Sequence, residues 1–227
     1  MRTIHAGDGI AWLKANTPLP ADHSIITSLP DSSEVPSMGF ERWRAWFSET
    51  SELLCNAVAP SAAVVFFQTD VKREGTWVDK AYLVQRGAEA AGAAQLWHKV
   101  VCRAPPGIAT FGRPAWAHLL CFSKALRLEP KHSTADVLPR LGEMTWARAM
   151  GVEACVAAVK FLALHAGAKT IVDPFCGLGT ALAVANALGL DGVGVELSAK
   201  RAEKARRLEI ALERPADAPG DHRRDGR

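Results

Sequence analysis

The stretch Thr170-Ile171-Val172-Asp173-Pro174-Phe175-Cys176-Gly177-Leu178-Gly179-Thr180 decides the fold, together with the acid Glu196 that follows it. Residues 170–172 are a short β-branched run of the kind buried on both faces in a parallel sheet. Gly177 and Gly179 lack the Cβ that would stop the backbone from turning sharply beside a ligand. Residues 180–188 are rich in alanine and leucine and favour helix. Gly189 is placed to close that helix in a left-handed cap. The next strand spans residues 191–197 and sets the Glu196 carboxylate at its C-terminal edge, where it can accept the hydrogens of both ribose hydroxyls, with Leu197 beside it. Strand, glycine turn, helix and strand make a doubly wound nucleotide site, whose ligand lies outside the carboxyl ends of the strands.

What the turn lacks narrows the ligand. A dinucleotide fingerprint requires a small residue three positions after the second glycine, and that position is Leu182. Asp173 directs an acid at the site, which suits a cation better than a phosphate. A ligand with a ribose and a positively charged amino-acid tail is S-adenosylmethionine. The full run Asp173-Pro174-Phe175-x-Gly177-x-Gly179-Thr180, followed by Gly194-x-Glu196, resembles the cofactor motif of the amino-methyltransferases: the DNA N6-adenine and N4-cytosine methylases and their RNA-modifying relatives.

That resemblance implies a class I methyltransferase fold, an α/β Rossmann-like sheet of seven strands. After Glu196 only one helix-like stretch remains, residues 199–212, before a polar tail at 213–227 that is expected to be flexible. The missing strands must then precede the cofactor motif, so the fold is expected to be circularly permuted, with a catalytic half at 1–144 and a cofactor half at 145–212. Strands are expected at residues 3–6, 23–27, 62–68, 95–102 and 116–123. A helix from about residue 145 to 165 would lead into the cofactor strand, with Val152, Cys155, Val156, Val159 and Leu162 on one face.

The resemblance also implies where the chemistry lies. Ser28-Leu29-Pro30-Asp31, directly after an apolar strand, occupies the place where the family carries Asp, Asn or Ser, then Pro-Pro, then Tyr or Phe. There the first side chain and the following carbonyl accept hydrogens from the target amine and aim its lone pair at the methyl carbon. Methyl transfer is an in-line displacement, so orientation and charge placement carry it. Leu29 departs from the first proline, and Asp31 replaces the aromatic that would stack on a flipped base. Asp31 could contact the substrate amine or cap the turn before Ser32-Ser33-Glu34. Phe40, Trp43, Trp46 or Phe47 could supply the stacking ring, although at helical spacing such residues usually form core. None of the five cysteines follows a proline, which argues against cytosine-C5 chemistry.

Asp8, between two glycines, resembles the family's acid at the cofactor adenine, and Asp-Gly is equally an ordinary turn signal. Thr145 and Trp146 lie where the family contacts the methionine end. Residues 103–115 offer Arg103 and Arg113 for phosphates and Phe111 for stacking. The basic run 200–207 reads as a solvated helix face. His98, His118, His132 and His165 are dispersed without metal-ligand spacing, so no metal is expected.

Global properties fit one enzyme domain. The net charge of +3 neither diagnoses nor opposes nucleic-acid binding. Four of the cysteines lie in apolar surroundings, which suits a reducing compartment. With no apolar run near the roughly 20 residues of a membrane span and no signal-peptide core, a soluble, cytoplasmic protein is expected. Residues 124–144 are too short for the target-recognition insert of a sequence-specific DNA methylase. RNA, or a substrate presented by a partner protein, is therefore expected over DNA. Rival expectations are a protein or small-molecule methyltransferase and a catalytically silent, cofactor-binding partner subunit.

Overall fold

The computed structural model describes residues 1–212, and the expected tail at 213–227 lies outside them. The chain begins with β1 (Arg2–Ala6), α1 (Gly9–Asn16), β2 (His23–Thr27), α2 (Phe40–Ala57), β3 (Val64–Gln68), β4 (Val71–Arg73), β5 (Thr76–Val78) and α3 (Lys80–Ala90). It continues through β6 (Ala94–Cys102), β7 (Trp116–Ser123) and β8 (Val137–Leu138). The last third adds α4 (Val152–His165), β9 (Thr170–Asp173), α5 (Thr180–Ala187), β10 (Asp191–Glu196) and α6 (Ala199–Arg207).

All seven expected strands form and share one sheet in the order β1-β10-β9-β2-β3-β7-β6, which β8 extends by an eighth, two-residue strand. The first five run parallel, and β7 is antiparallel to both of its neighbours. β8 arises within residues 124–144, the segment too short for a recognition insert, and pairs in parallel with the outer edge of β6. β4 and β5 form a separate hairpin.

The central strands β2, β3 and β9 are almost wholly buried, because helices cover both faces. Alternation sends Ile25, Val64 and Phe66 toward Leu13, Trp43, Phe47 and Leu83 of α1, α2 and α3. It sends Ile26, Val65 and Phe67 to the other face, toward Ala158, Leu162, Leu182 and Ala205 of α4, α5 and α6. From β9 the chain moves through α5 to β10, and from β2 it moves through α2 to β3 on the opposite side. The carboxyl ends of β9 and β2 thus flank a topological switch point, where open α/β sheets bind ligands.

One expected boundary moves. The helix read from about residue 145 starts only at Val152, and 145–151 is a loop. Gly151 lies against Leu141, where a Cβ would come within 1.9 Å of the Leu141 carbonyl oxygen. The Thr145 hydroxyl is bonded to that of Thr180 at 2.6 Å, which draws the loop to the start of α5. The final helix ends at Arg207 instead of running to 212, and the Arg2 guanidinium bonds the carbonyls of Arg206 and Leu208 there. Gly189 takes φ +82°, the left-handed cap expected after α5. No helix among the described residues is long and apolar enough to cross a membrane.

Helices α2 and α3 approach closely at Gly87, where a Cβ would stand 2.2 Å from the Ser48 carbonyl oxygen and 2.7 Å from the Ser51 Cβ. Alanine's better helix propensity, about 1 kcal/mol, is too small to offset that overlap with backbone. Gly87→Ala should lower stability by about 1–3 kcal/mol in urea unfolding with an unchanged slope. An unchanged midpoint would mean that the two helices part freely.

Candidate active site

Thr27 ends β2 and Asp173 ends β9, and the parallel register that sets Ile25 opposite Val172 brings both to one edge of the sheet. The Thr27 hydroxyl donates to Asp173 Oδ1 at 2.7 Å, with both residues buried. The Phe175 amide donates to the same oxygen at 3.1 Å. Burial drives the Asp173 carboxyl up to about 7, the two hydrogen bonds oppose that rise, and the nearby Glu196 charge adds to it. A carboxylate poised this way favours a cationic neighbour.

The glycine turn then separates into two roles. Gly177, at φ +56°, packs against Trp146, whose ring a Cβ would meet at 3.0 Å. Gly179, at φ +78°, begins α5 and faces Ala205 of α6, so its small size serves helix packing and not approach to a ligand. Gly9 presses α1 onto the turn: a Cβ there would lie 2.0 Å from the Pro174 carbonyl oxygen. Its neighbour Asp8 caps α1 by accepting from the Ala11 amide at 2.7 Å and also lines the cavity. The turn and adenine readings of Asp8 are therefore compatible in space.

Glu196 is buried at the end of β10. Its Oε1 accepts from the Ser198 amide and from Arg201, each at 2.8 Å, while no described residue donates to Oε2. Arg201 belongs to the run expected to be a solvated face. The run is largely exposed, with Ala202 and Ala205 its buried positions, while Arg201 and also Arg206, which donates to the Ile4 carbonyl at 2.8 Å, turn part of their side chains back onto the fold. A basic residue one turn into a helix that starts beside a strand-end acid was the signal for Arg201.

These groups surround a cavity of about 300 Å³, at the small end of the range of ligand pockets. Asp8, Trp146, Asp173, Pro174, Phe175, Gly177, Thr180, Glu196 and Leu197 line it, and so do Ser28, Leu29 and Pro30. Thr145 touches it only through Thr180. Among the described residues, no hydrogen bond reaches the Ser28 hydroxyl or the Leu29 carbonyl, whereas the Pro30 carbonyl accepts from the Trp43 indole at 3.0 Å. Of the four candidate rings, Trp43 and Phe47 are fully buried core, Phe40 stacks on Trp43, and Trp46 lines the cavity edge-on to Phe175. Glu34 and Arg148 also line it and pair with each other, a contact with no local sequence signal.

Asp31 lies outside this cavity. Its carboxylate is paired with the ammonium of Lys80, itself buried at the start of α3, and does not cap the turn before Glu34. The Glu34 amide donates to the Asp31 carbonyl and the Glu34 carboxylate accepts from the Asp31 amide, which closes that turn instead. Arg113 shares a second groove with Asp31 and Thr69, Arg103 donates to the Thr69 hydroxyl at 3.4 Å, and Phe111 is almost wholly exposed.

The histidines are not dispersed. His98 and His118 are bonded at 2.9 Å, and His118 continues to buried Asp70 at 2.9 Å, while His132 lies against His165. Asp70, Asp79 and His118 come within metal-ligand reach of one another. Asp70 is already satisfied, accepting from the Lys80 amide and the Trp77 indole at 2.8 Å as well as pairing with His118. The five cysteines are free, and four are buried, as their apolar surroundings suggested. Burial pushes the Cys55 thiol up to about 12.

No family profile and no curated protein matches the sequence. Solved structures do. The candidate DNA modification methylase TTHA0409 of Thermus thermophilus superposes with a TM-score of 0.71 at 17% identity, over 91% of this chain and 94% of that one. Its complex with S-adenosyl-L-methionine gives 0.69 at 19% identity, over 91% and 92%. The cytosine-N4-specific PvuII DNA methyltransferase gives 0.68 at 13% identity, over 93% and 88%. Likeness at these identities concerns architecture, and with the sheet order and the switch-point cavity it leads to one conclusion: the chain has the mixed α/β fold of the class I methyltransferases.

Proposed function

We propose that this chain is an S-adenosylmethionine-dependent methyltransferase that modifies an amino nitrogen of nucleic acid, with DNA favoured over RNA. One observation carries the reading: the Thr27–Asp173 hydrogen bond joins the Ser28-Leu29-Pro30 segment and the acid-edged glycine turn around a single cavity. The motif order, catalytic segment first and cofactor turn last, supports a circularly permuted version of the fold. The structural neighbours are named as DNA methylases, and nothing among them supports the RNA preference drawn from the short 124–144 segment.

The residues suit the cofactor on chemical grounds. When bound, S-adenosylmethionine supplies an electrophilic methyl group on a cationic sulfur. Asp173 provides the buried negative charge that such a ligand matches, and the free Oε2 of Glu196 suits the ribose hydroxyls. Gly177 lets the backbone approach under Trp146. Asp8 lines the same cavity at the start of α1, in reach of the adenine role. On the substrate side, the Ser28 hydroxyl and the Leu29 carbonyl, both without partners among the described residues, accept the hydrogens of the target amine. Accepting both turns the nitrogen lone pair out of the base plane and toward the cofactor face. Pro30 holds its carbonyl on Trp43, which fixes the segment. Trp46 is the ring best placed to take over the stacking lost at Asp31, and Asp31 anchors the loop through Lys80.

Two expectations follow from the acids and from Ser28. Binding a cation to ionised Asp173 lowers the carboxyl from about 7 in the free protein. Affinity for S-adenosylmethionine should then rise with pH, by up to about tenfold per unit, and level off above 7. Calorimetry between pH 5.5 and 8.5 reads this slope, and Asp173→Asn should flatten it; a flat profile in the unaltered protein counts against a direct role for Asp173. Ser28→Ala should slow labelled-methyl transfer to DNA by about 10- to 100-fold while cofactor affinity stays within about twofold. Label transferred only to protein would overturn the nucleic-acid reading.

A further inference from the structure

The β4–β5 hairpin, which the sequence did not announce, stands beside the catalytic segment. Val71 and Lys72 share a groove with Asp31, Thr69 and Arg113. Lys72 Nζ donates to the Thr110 carbonyl at 3.4 Å, which ties the hairpin to the 103–115 loop between β6 and β7. Trp77 is 49% exposed, with its indole N–H fixed on buried Asp70 at 2.8 Å and Lys72 5.0 Å from its ring centre. Phe111 is 98% exposed. Two large rings thus face solvent on adjoining segments, one of them held rigid from behind.

The charges around them are unbalanced. Among the described residues, Lys72, Arg103 and Arg113 make no ion pair, and their polar contacts are with the Thr110 carbonyl and the Thr69 hydroxyl. Arg103 loses solvation by partial burial, and the Arg113 charge pulls it down further. The acids that border the groove are occupied: Asp31 by Lys80, and Asp70 by the Lys80 amide, Trp77 and His118. What remains is a surface with three uncompensated cations and two rings, which fits a polyanion whose bases have free faces.

We propose that the hairpin and the 103–115 loop form a platform for an unpaired DNA strand flanking the target nucleotide, with phosphates on Lys72, Arg103 and Arg113 and bases on Trp77 and Phe111. This rests on the function proposed above and adds to it. A duplex hides the faces of its bases, so stacking on exposed rings selects a single strand. Preference for an unpaired strand also removes the need for a large recognition insert in residues 124–144.

Fluorescence anisotropy with a fluorescein-labelled single-stranded DNA oligonucleotide, its duplex and the RNA of the same sequence tests the platform. The single-stranded DNA should bind at least about tenfold tighter than the duplex. Phe111→Ala should weaken it by about tenfold, in line with the loss of one stacked base. Lys72→Ala and Arg113→Ala should each reduce the salt dependence, d log K/d log [salt], by about 0.7. Phe111 is exposed, so its variant keeps the test valid if Trp77→Ala fails to fold for want of the Asp70 contact. Wild-type affinity in the Phe111 and Lys72 variants, or equal affinity for duplex, would overturn the platform; tighter binding of the RNA would overturn its assignment to DNA. Cofactor calorimetry on the unaltered protein is read separately: failure to bind S-adenosylmethionine sinks the methyltransferase reading, whereas strand binding untouched by the substitutions sinks only the platform.

Discussion

The buried hydrogen bond from the Thr27 hydroxyl to the Asp173 carboxylate is the constraint on which the rest of the site depends. An acid this deeply enclosed is unfavourable unless its lone pairs are used, and the fold offers it one side chain and one amide. The partner comes from the neighbouring strand of the switch point, whose next residue is Ser28. Satisfying the acid therefore fixes the distance between the turn and the segment across the cavity. The same arrangement leaves the acid only partly compensated, so its charge remains available to a ligand.

Much of this was legible because each parallel core strand is built on a β-branched or aromatic apolar stretch: Ile25-Ile26, Val64 to Phe67 and Ile171-Val172. Residues 23–27, 64–68 and 170–173 advertise burial on both faces, and the glycine turn with its downstream acid advertises a nucleoside site. What escaped depends on contacts between distant segments. The loop at 145–151 has good helix formers, yet the Thr145–Thr180 bond and the close contact at Gly151 draw it out of the helix and over the turn. Gly179 looked like a ligand-facing glycine by position, and only the approach of α6 shows otherwise. The Lys80–Asp31 pair joins residues with no local relation, so no spacing rule reaches it.

The histidines teach a similar lesson about periodicity. His98 and His118 lie on adjacent antiparallel strands, where separation in sequence is no guide to separation in space. The chain they form with Asp70 ends on the Lys80 amide and the Trp77 indole. A polar network in the interior thus holds the hairpin from behind, while its outer face carries the exposed ring and cations. One short segment thus has a side fixed by buried hydrogen bonds and a side open to solvent.

The pairing of β1 with β10 has a kinetic meaning. Arg2 lies opposite Gly192 and Ala6 opposite Glu196, and among the described residues β10 is the one strand that β1 pairs with. During synthesis β1 therefore waits for β10, a contact of very high sequence separation that closes late and slowly. Until then β1 has no ladder partner, and the edge of β9 that β10 will cover stays open. Such edges are where a growing chain is exposed to mispairing. The small residues Gly192 and Gly194 make β10 a weak strand on its own, so its docking relies on partners already in place: β9 beside it and α5 above. The glutamate at its end therefore reaches its place only when β10 docks, and the part of the cavity wall that Leu197 and Arg201 supply follows it in the chain.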